Sequence, residues 1–187
     1  TRAVEFANKY KVPVRVLSSF NDGNGTLISL KDESMENALV SGIAFQKDQV
    51  KFTLHSVGDT PGTAFKILGP ISDAEIEVDV IVQNVSIDDK TDFTFTVSNE
   101  DKESVEKILT DLKTEVDYKE VIINSDIAKV SLVGAGMRSQ AGVASKAFKA
   151  LSENDVNIQI ICTSEIKITM VIAVSYTHLR AHETRRY

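Results

Sequence analysis

The sequence has one cysteine, no tryptophan and three prolines among its 187 residues, and its shortages exclude whole classes of protein. A lone Cys162 rules out an internal disulfide framework and the cysteine clusters of structural zinc sites. It fits a reducing compartment, so a cytoplasmic location is the expectation. Histidine is scarce as well: His178 and His182 sit in the last ten residues, leaving His55 on the polar face of a strand pattern as a surface residue. No Ser/His/Asp set, metal-ligand spacing or phosphate-binding loop is formed, so no catalytic residue, metal ligand or cofactor site is expected in this chain. No apolar run approaches the roughly 18 residues of a membrane span. Positive charge is also short, with 21 Lys and Arg against 27 Asp and Glu for a net charge of −6. That balance argues against nucleic acid as a partner.

What is present is enough for a folded domain or two. Hydrophobic residues make up 42% and charged residues 26%, within the ordinary range for a packed core under a solvated surface. The chain enters on Ala3, Phe6, Ala7 and Tyr10 at helical spacing, without an initiating Met, which reads as a fragment. "VPVRVLSSF" follows as a strand, and "NDGNG" (Asn21 to Gly25) is turn chemistry that would mark a boundary. "ALVSGIAF" and "VKFTLHSV" read as strands, Val50, Phe52 and Leu54 of the second alternating with polar residues. At the other end, "SYTHLRAHETRRY" holds three of the six arginines and reads as a non-native extension.

An internal repeat governs the middle. Shifting by 80 residues places Gly62 on Gly142, and Ala64, Ile67, Leu68 and Ile71 on Ala144, Ala147, Phe148 and Leu151. That spacing is the core face of one helix seen twice. The same shift places Ile76, Val78, Val80 and Val82 on Val156, Ile158, Ile160 and Cys162, the inward face of one strand seen twice, with Cys162 as a core thiol. Strands "FTFTV" and "IKITMVIA" follow in the two copies. The first copy continues through a helix with Ser98 as N-cap, Glu100 and Asp101 at its start, and Val105, Ile108, Leu109 and Leu112 as its stripe. "YKEVIIN" closes it. Each unit is therefore βαββαβ, an α+β layer of helices on one face of an antiparallel sheet. The second copy lacks its last helix and strand unless "ALVSGIAF" completes its sheet. Gly69-Pro70 inside the first helix should bend or break it.

Each copy has a strand–loop–helix corner, "SVGDTPGTA" and "GAGMRSQAGVA". The N–H groups of Gly62, Thr63 and Ala64 at a helix start suit a carboxylate or phosphate. Asp59 beside them favours a ligand bearing both charges, such as a free α-amino acid, with Gln83 and Asn84 supplying side-chain oxygens. Their counterparts are Thr163 and Ser164, with Glu165 next. The bland reading stands beside this one: Asp-Thr-Pro-Gly as a tight turn with an N-cap. Gly134 and Gly136 after a strand, with Asp155 about 20 residues on, resemble the start of a dinucleotide fingerprint, but Ser139 stands where its third glycine belongs.

Nearly all of residues 2–173 resemble the aspartate kinase (aspartokinase) family, in its C-terminal regulatory region with tandem ACT domains. The resemblance is carried by "AVEFANKYKVPVRVLSSF", "GTLIS", "GDTPGTAFKILGPISDAEIEVDVIVQNVS", "DFTFTV" and "KVSLVGAGMRSQAGVASKAFKALSENDVNIQIICTSEIKITMVI". It implies two ferredoxin-like domains in tandem, the second truncated. The implied division is an end of a kinase domain at 1–19, a connector at 20–49, ACT domains at 50–125 and 126–174, and a foreign tail at 175–187. By motif, Asp59, Pro61, Gly62, Thr63, Ala64, Val78, Asp79, Gln83 and Asn84 would line an effector site. Asn157 and Ile158 of the other repeat would complete it across an ACT–ACT interface. A second site would use Met137, Ser139, Gly142, Ser164 and Glu165, although Ala141 there replaces the turn proline and Gln140 stands near the acid's place. The implied function is feedback inhibition by threonine or lysine, as a homodimer and with a catalytic kinase subunit or domain whose ATP and magnesium sites lie outside this chain. The alternatives are a free-standing ACT-type amino-acid sensor, which would have no use for the kinase-like opening residues, and a dinucleotide-binding fragment.

Overall fold

A computed structural model describes residues 2–28, 40–84, 89–134 and 142–174. The expectations for Met137, Ser139 and the extension at 175–187 lie outside these residues. The chain divides into two compact units, Thr1–Leu39 and Val40–Tyr187.

In the first unit, α1 (Arg2–Lys9) places Phe6 one turn before Tyr10, and their rings stack with centroids 6.3 Å apart. β1 (Val14–Val16) pairs antiparallel with β2 (Thr26–Ile28). The Asn21–Gly25 turn therefore lies inside a hairpin rather than at a boundary. Gly25 has φ +61°, and a Cβ there would run into the Val16 carbonyl oxygen, so glycine alone closes this turn.

The second unit is built on two long strands. In chain order it contains β3 (Gly42–Gly58), α2 (Thr63–Asp73), β4 (Ile81–Gln83), β5 (Lys90–Ser98), α3 (Lys102–Leu112), β6 (Glu120–Val133), α4 (Val143–Glu153), β7 (Ile158–Thr163) and β8 (Lys167–Ala173). All its strands join one antiparallel sheet in the order β4-β5-β3-β6-β8-β7. The first repeat uses the second half of β3 and the first half of β6, giving two interlocked βαβ units. In the second repeat the fourth-strand position is taken by Gly42–Gln46 of β3, which pairs with Val133–Lys129 of β6. That strand was one of the two pieces the second copy lacked by sequence. Among the described residues nothing takes the place of α3 there.

Burial follows the alternation and the helical stripes. Val50, Phe52, Leu54, Phe93, Phe95 and Val97 of the sheet pack against Ile67 and Ile71 of α2 and against Val105, Leu109 and Leu112 of α3. Each such side chain removed from water contributes about 1.5–3 kcal/mol. The second repeat has its own cluster of Ala128, Val156 and Ile172, with Phe45, Val130 and Leu151 beside it.

Four local expectations are corrected. Of the expected bend or break at Gly69-Pro70 the break is overturned: α2 runs through to Asp73, so proline at this exposed position costs a backbone bond without ending the helix. Ser98 precedes a turn of 3-10 helix (Asn99–Asp101) rather than α3 itself, and its side chain makes no capping bond there. Residues 76–80 are irregular, and β4 keeps only Ile81–Gln83. Cys162 is exposed. In β7 the register slips between Ile158, opposite Ile172, and Ile160, opposite Val171. This bulge transfers the following residues to the other face, so Ile161 takes the Met170 side and Cys162 the Thr169 side.

Candidate functional site

The corner after β3 is set by a bulge. Between Leu54 and Val57 the pairing with β5 slips, and Ser56 takes φ +55°. The Asp92 carboxylate holds this kink, accepting the Ser56 N–H at 3.0 Å and the His55 Nδ1 at 3.0 Å. His55 is thus a partner of the bulge, beyond the surface residue that its pattern indicated. The Ser56 N–H draws the Asp92 carboxyl below its usual range; partial burial opposes this, and the His55 hydrogen bond and charge add to it. A depressed carboxylate stabilises the fold above its unfolded pKa and loses that contribution as pH falls through the folded value. Stability is therefore expected to decline below about pH 4, and Asp92→Asn should flatten that limb. Half-exposure keeps the effect below about 1 kcal/mol; urea melts from acid to neutral pH check it.

Beyond the bulge the loop is tied on several sides. The Asp59 N–H donates to the Asp89 carbonyl at 2.8 Å, and Gly58 N–H to the Asp117 carbonyl at 3.2 Å. Thr63 is buried, and its hydroxyl donates to the Gly58 carbonyl at 3.0 Å while lying 3.0 Å from the Thr60 hydroxyl. Its N–H is used by the Thr60 carbonyl at 3.1 Å, so it is not open to a ligand as the sequence reading had it. No side chain caps α2, which departs from the simple N-capped turn.

The structure brings Asp59 and Gln83 together: Gln83 Nε2 donates to Asp59 Oδ1 at 3.3 Å. Asn84 lies beside them, its carbonyl accepting from the Thr91 hydroxyl. The Asp59, Pro61, Gly62, Gln83 and Asn84 side of the corner is exposed, Ala64 and Val78 are half-buried, and a small polar ligand has access. Asp79 does not join the corner; it pairs with the Lys129 ammonium of the second repeat. Lys129 carried no signal as a site residue in the sequence. Asn157 and Ile158 lie at the start of edge strand β7, and none of the described hydrogen bonds links them to this corner.

The second corner shares the entry geometry. Gly62 has φ +94° and Gly142 φ +99°, each immediately before its helix, and α4 also lacks a side-chain cap. Ser164 N–H donates to the Lys167 carbonyl at 2.8 Å, and Ser164 and Glu165 are exposed. Nothing lies within 4 Å of a Cβ built on Gly62, so its requirement is backbone conformation rather than space. Gly62→Ala is expected to cost about 1–2 kcal/mol, read as a lower urea midpoint.

An ACT domain family model matches residues 54–117, and a second ACT domain model matches residues 130–179. An aspartate kinase of Pseudomonas fluorescens is 58% identical over 179 residues, which is 95% of this chain and 43% of that protein. The chain thus spans less than half the length of this curated relative. A solved structure of aspartokinase alpha and beta subunits is 44% identical, with TM-score 0.70 over 75% of this chain and 92% of the other. The ligand-free regulatory subunit of aspartate kinase from Thermus thermophilus is 32% identical, with TM-score 0.72 over 76% and 93%. Escherichia coli aspartokinase III in complex with lysine and aspartate is 25% identical, with TM-score 0.66 over 90% and 37%.

Proposed function

The chain belongs to the aspartate kinase family and comprises its regulatory ACT region; from that premise we propose that it senses free lysine, threonine or both and transmits their binding as feedback inhibition. The observation that carries this is the Asp59–Gln83 pair at 3.3 Å beside a helix start with no side-chain cap. A zwitterion matches such a corner. Its ammonium meets the Asp59 carboxylate, and its carboxylate meets the positive end of α2. An inorganic anion would find Asp59 repulsive. The lysine-bound structure of the Escherichia coli relative supports lysine as one effector.

In this reading the whole enzyme phosphorylates L-aspartate with ATP in the cytoplasm, and the catalytic groups, with ATP and magnesium, belong to the kinase portion. The regulatory region acts as a homodimer, where Asn157 and Ile158 approach the corner from an ACT–ACT interface. The second corner, with Met137, Ser139, Gly142, Ser164 and Glu165, is a further effector site. Effector binding shifts the kinase only through different affinities for its two arrangements, typically about 1–3 kcal/mol.

Calorimetric titration of the chain with threonine and with lysine tests the reading. Saturable binding of at least one is expected, with no heat from inorganic phosphate. Absence of binding by both amino acids overturns it.

A further inference from the structure

The two halves of the sheet meet through the faces that carry no helices. Lys51 of the first repeat, on the face opposite Phe52, reaches Gln159 Oε1 of β7 at 2.6 Å. Lys129 of the second repeat, on the face opposite Ala128 and Val130, reaches Asp79 of the first. Thr96, Ser131 and Thr169 are buried on the same faces, with the Ser131 and Thr169 hydroxyls 3.0 Å apart. Gln49 Oε1, where β3 crosses between the halves, is buried and has no hydrogen-bond partner among the described residues. This contact sets polar side chains beside the fully buried Ile127 and Val171, where an ordinary sheet-on-sheet contact is apolar throughout, and it holds an ion pair whose lysine is buried and whose aspartate is exposed.

Lys129 is 5% exposed. Burial and the Lys167 ammonium push its amine below the usual range, while Glu77 pulls it back. Only the lysine of this pair is buried, so losing Asp79 would leave a buried ammonium without its counter-charge, and the pair ties Asp79 to the second repeat. What this pair fixes is visible in the next bonds. Asp79 N–H donates to the Thr96 carbonyl at 3.1 Å, and Thr96 N–H donates to the Val80 carbonyl at 3.0 Å. Val80 N–H donates to the Thr96 hydroxyl at 3.2 Å. β4 follows at once, and its last residue is Gln83, the partner of Asp59.

The geometry points to Lys129 as a positioning residue for the amino-acid site: by holding Asp79 it sets β4, and through β4 the Gln83 amide at Asp59. Asp79 then serves the site through its place in the chain rather than by touching the ligand. The ligand part of this rests on the proposed function; the placement of β4 does not.

Hydrogen exchange and titration on the same chain separate the two. In Lys129→Met, amides from Val80 to Gln83 should exchange about tenfold faster while those of α3 keep their protection. Threonine or lysine should bind roughly 3- to 30-fold more weakly. Lys129→Arg, which keeps the charge, should retain most of both. Asp79→Asn should reproduce the exchange pattern, and it replaces Lys129→Met if that variant does not fold. Unchanged exchange at β4 overturns the proposal. So does uniform acceleration that includes α3, because that marks a purely structural lysine. If the parent chain binds neither amino acid, the proposed function fails and the exchange pattern alone decides the role of Lys129.

Discussion

Phe95→Ala is expected to lower the stability of the second unit by about 3–5 kcal/mol, a large share of the roughly 5–15 kcal/mol typical of a whole domain. Phe95 is fully buried, and its ring stacks on that of Phe52 with centroids 5.5 Å apart and planes at 12°. The Phe93 ring lies 6.3 Å away on the same strand. Truncation leaves a cavity between the sheet and both helices that β-strand backbone cannot collapse to fill. It also removes the residue opposite Ile81 in the β4–β5 register, so the corner at Asp59 should loosen with the core. A urea titration followed by far-UV circular dichroism reads the change as a lowered midpoint. An unchanged midpoint would show that the packing around β5 does not support this half of the sheet.

The second large effect concerns ligand response. In the intact enzyme, Asp59→Ala should raise the concentration of threonine or lysine needed for half inhibition while leaving uninhibited activity in place. A hydrogen bond to a charged group is worth about 1.5–3 kcal/mol, so the shift is roughly tenfold to a hundredfold. Asp59 is exposed at a loop, and its side chain bonds only to Gln83 among the described contacts, so the fold should tolerate its loss. Asp59→Asn keeps a partner for Gln83 but removes the charge, and should fall between parent and alanine variant. Superimposable inhibition curves for Asp59→Ala and parent would remove Asp59 from the site.

Much of this was legible because it repeats. The 80-residue offset predicts one corner from the other, and the two glycines it pairs have nearly the same backbone, at +94° and +99°. Val50, Phe52 and Leu54 alternate in the sequence and are fully buried in the fold. The proximity of Asp59 and Gln83 follows from a strand end returning to the corner that began its helix. What escaped reading depends on backbone detail or on distant chain. A bulge adds one residue to β7 without altering its apolar character, so alternation placed Cys162 on the wrong face. The polar run at Asn124 to Asp126 looked like the end of a strand, yet β6 continues through it from one repeat into the other. Asp79 carried the family pattern of a ligand-lining residue, and only the closing of one half-sheet on the other reveals Lys129 as its partner.

The crossing of β3 and β6 also constrains the order in which this chain can fold. Gly42 must find Val133, and everything needed for the first repeat lies between them. The first repeat can close on nearby hairpins and helices, whereas the second waits for a pairing that spans the whole of the first. Such long loop closure is slow, because its entropy is lost before its contacts form. On a ribosome, the segment from Gly42 to Gln46 emerges well before its partner and carries Ile43 and Phe45 through that interval. It is an early-made edge awaiting a late-made neighbour, and the stretch of synthesis between them is the period in which this protein is most open to mispairing with another copy.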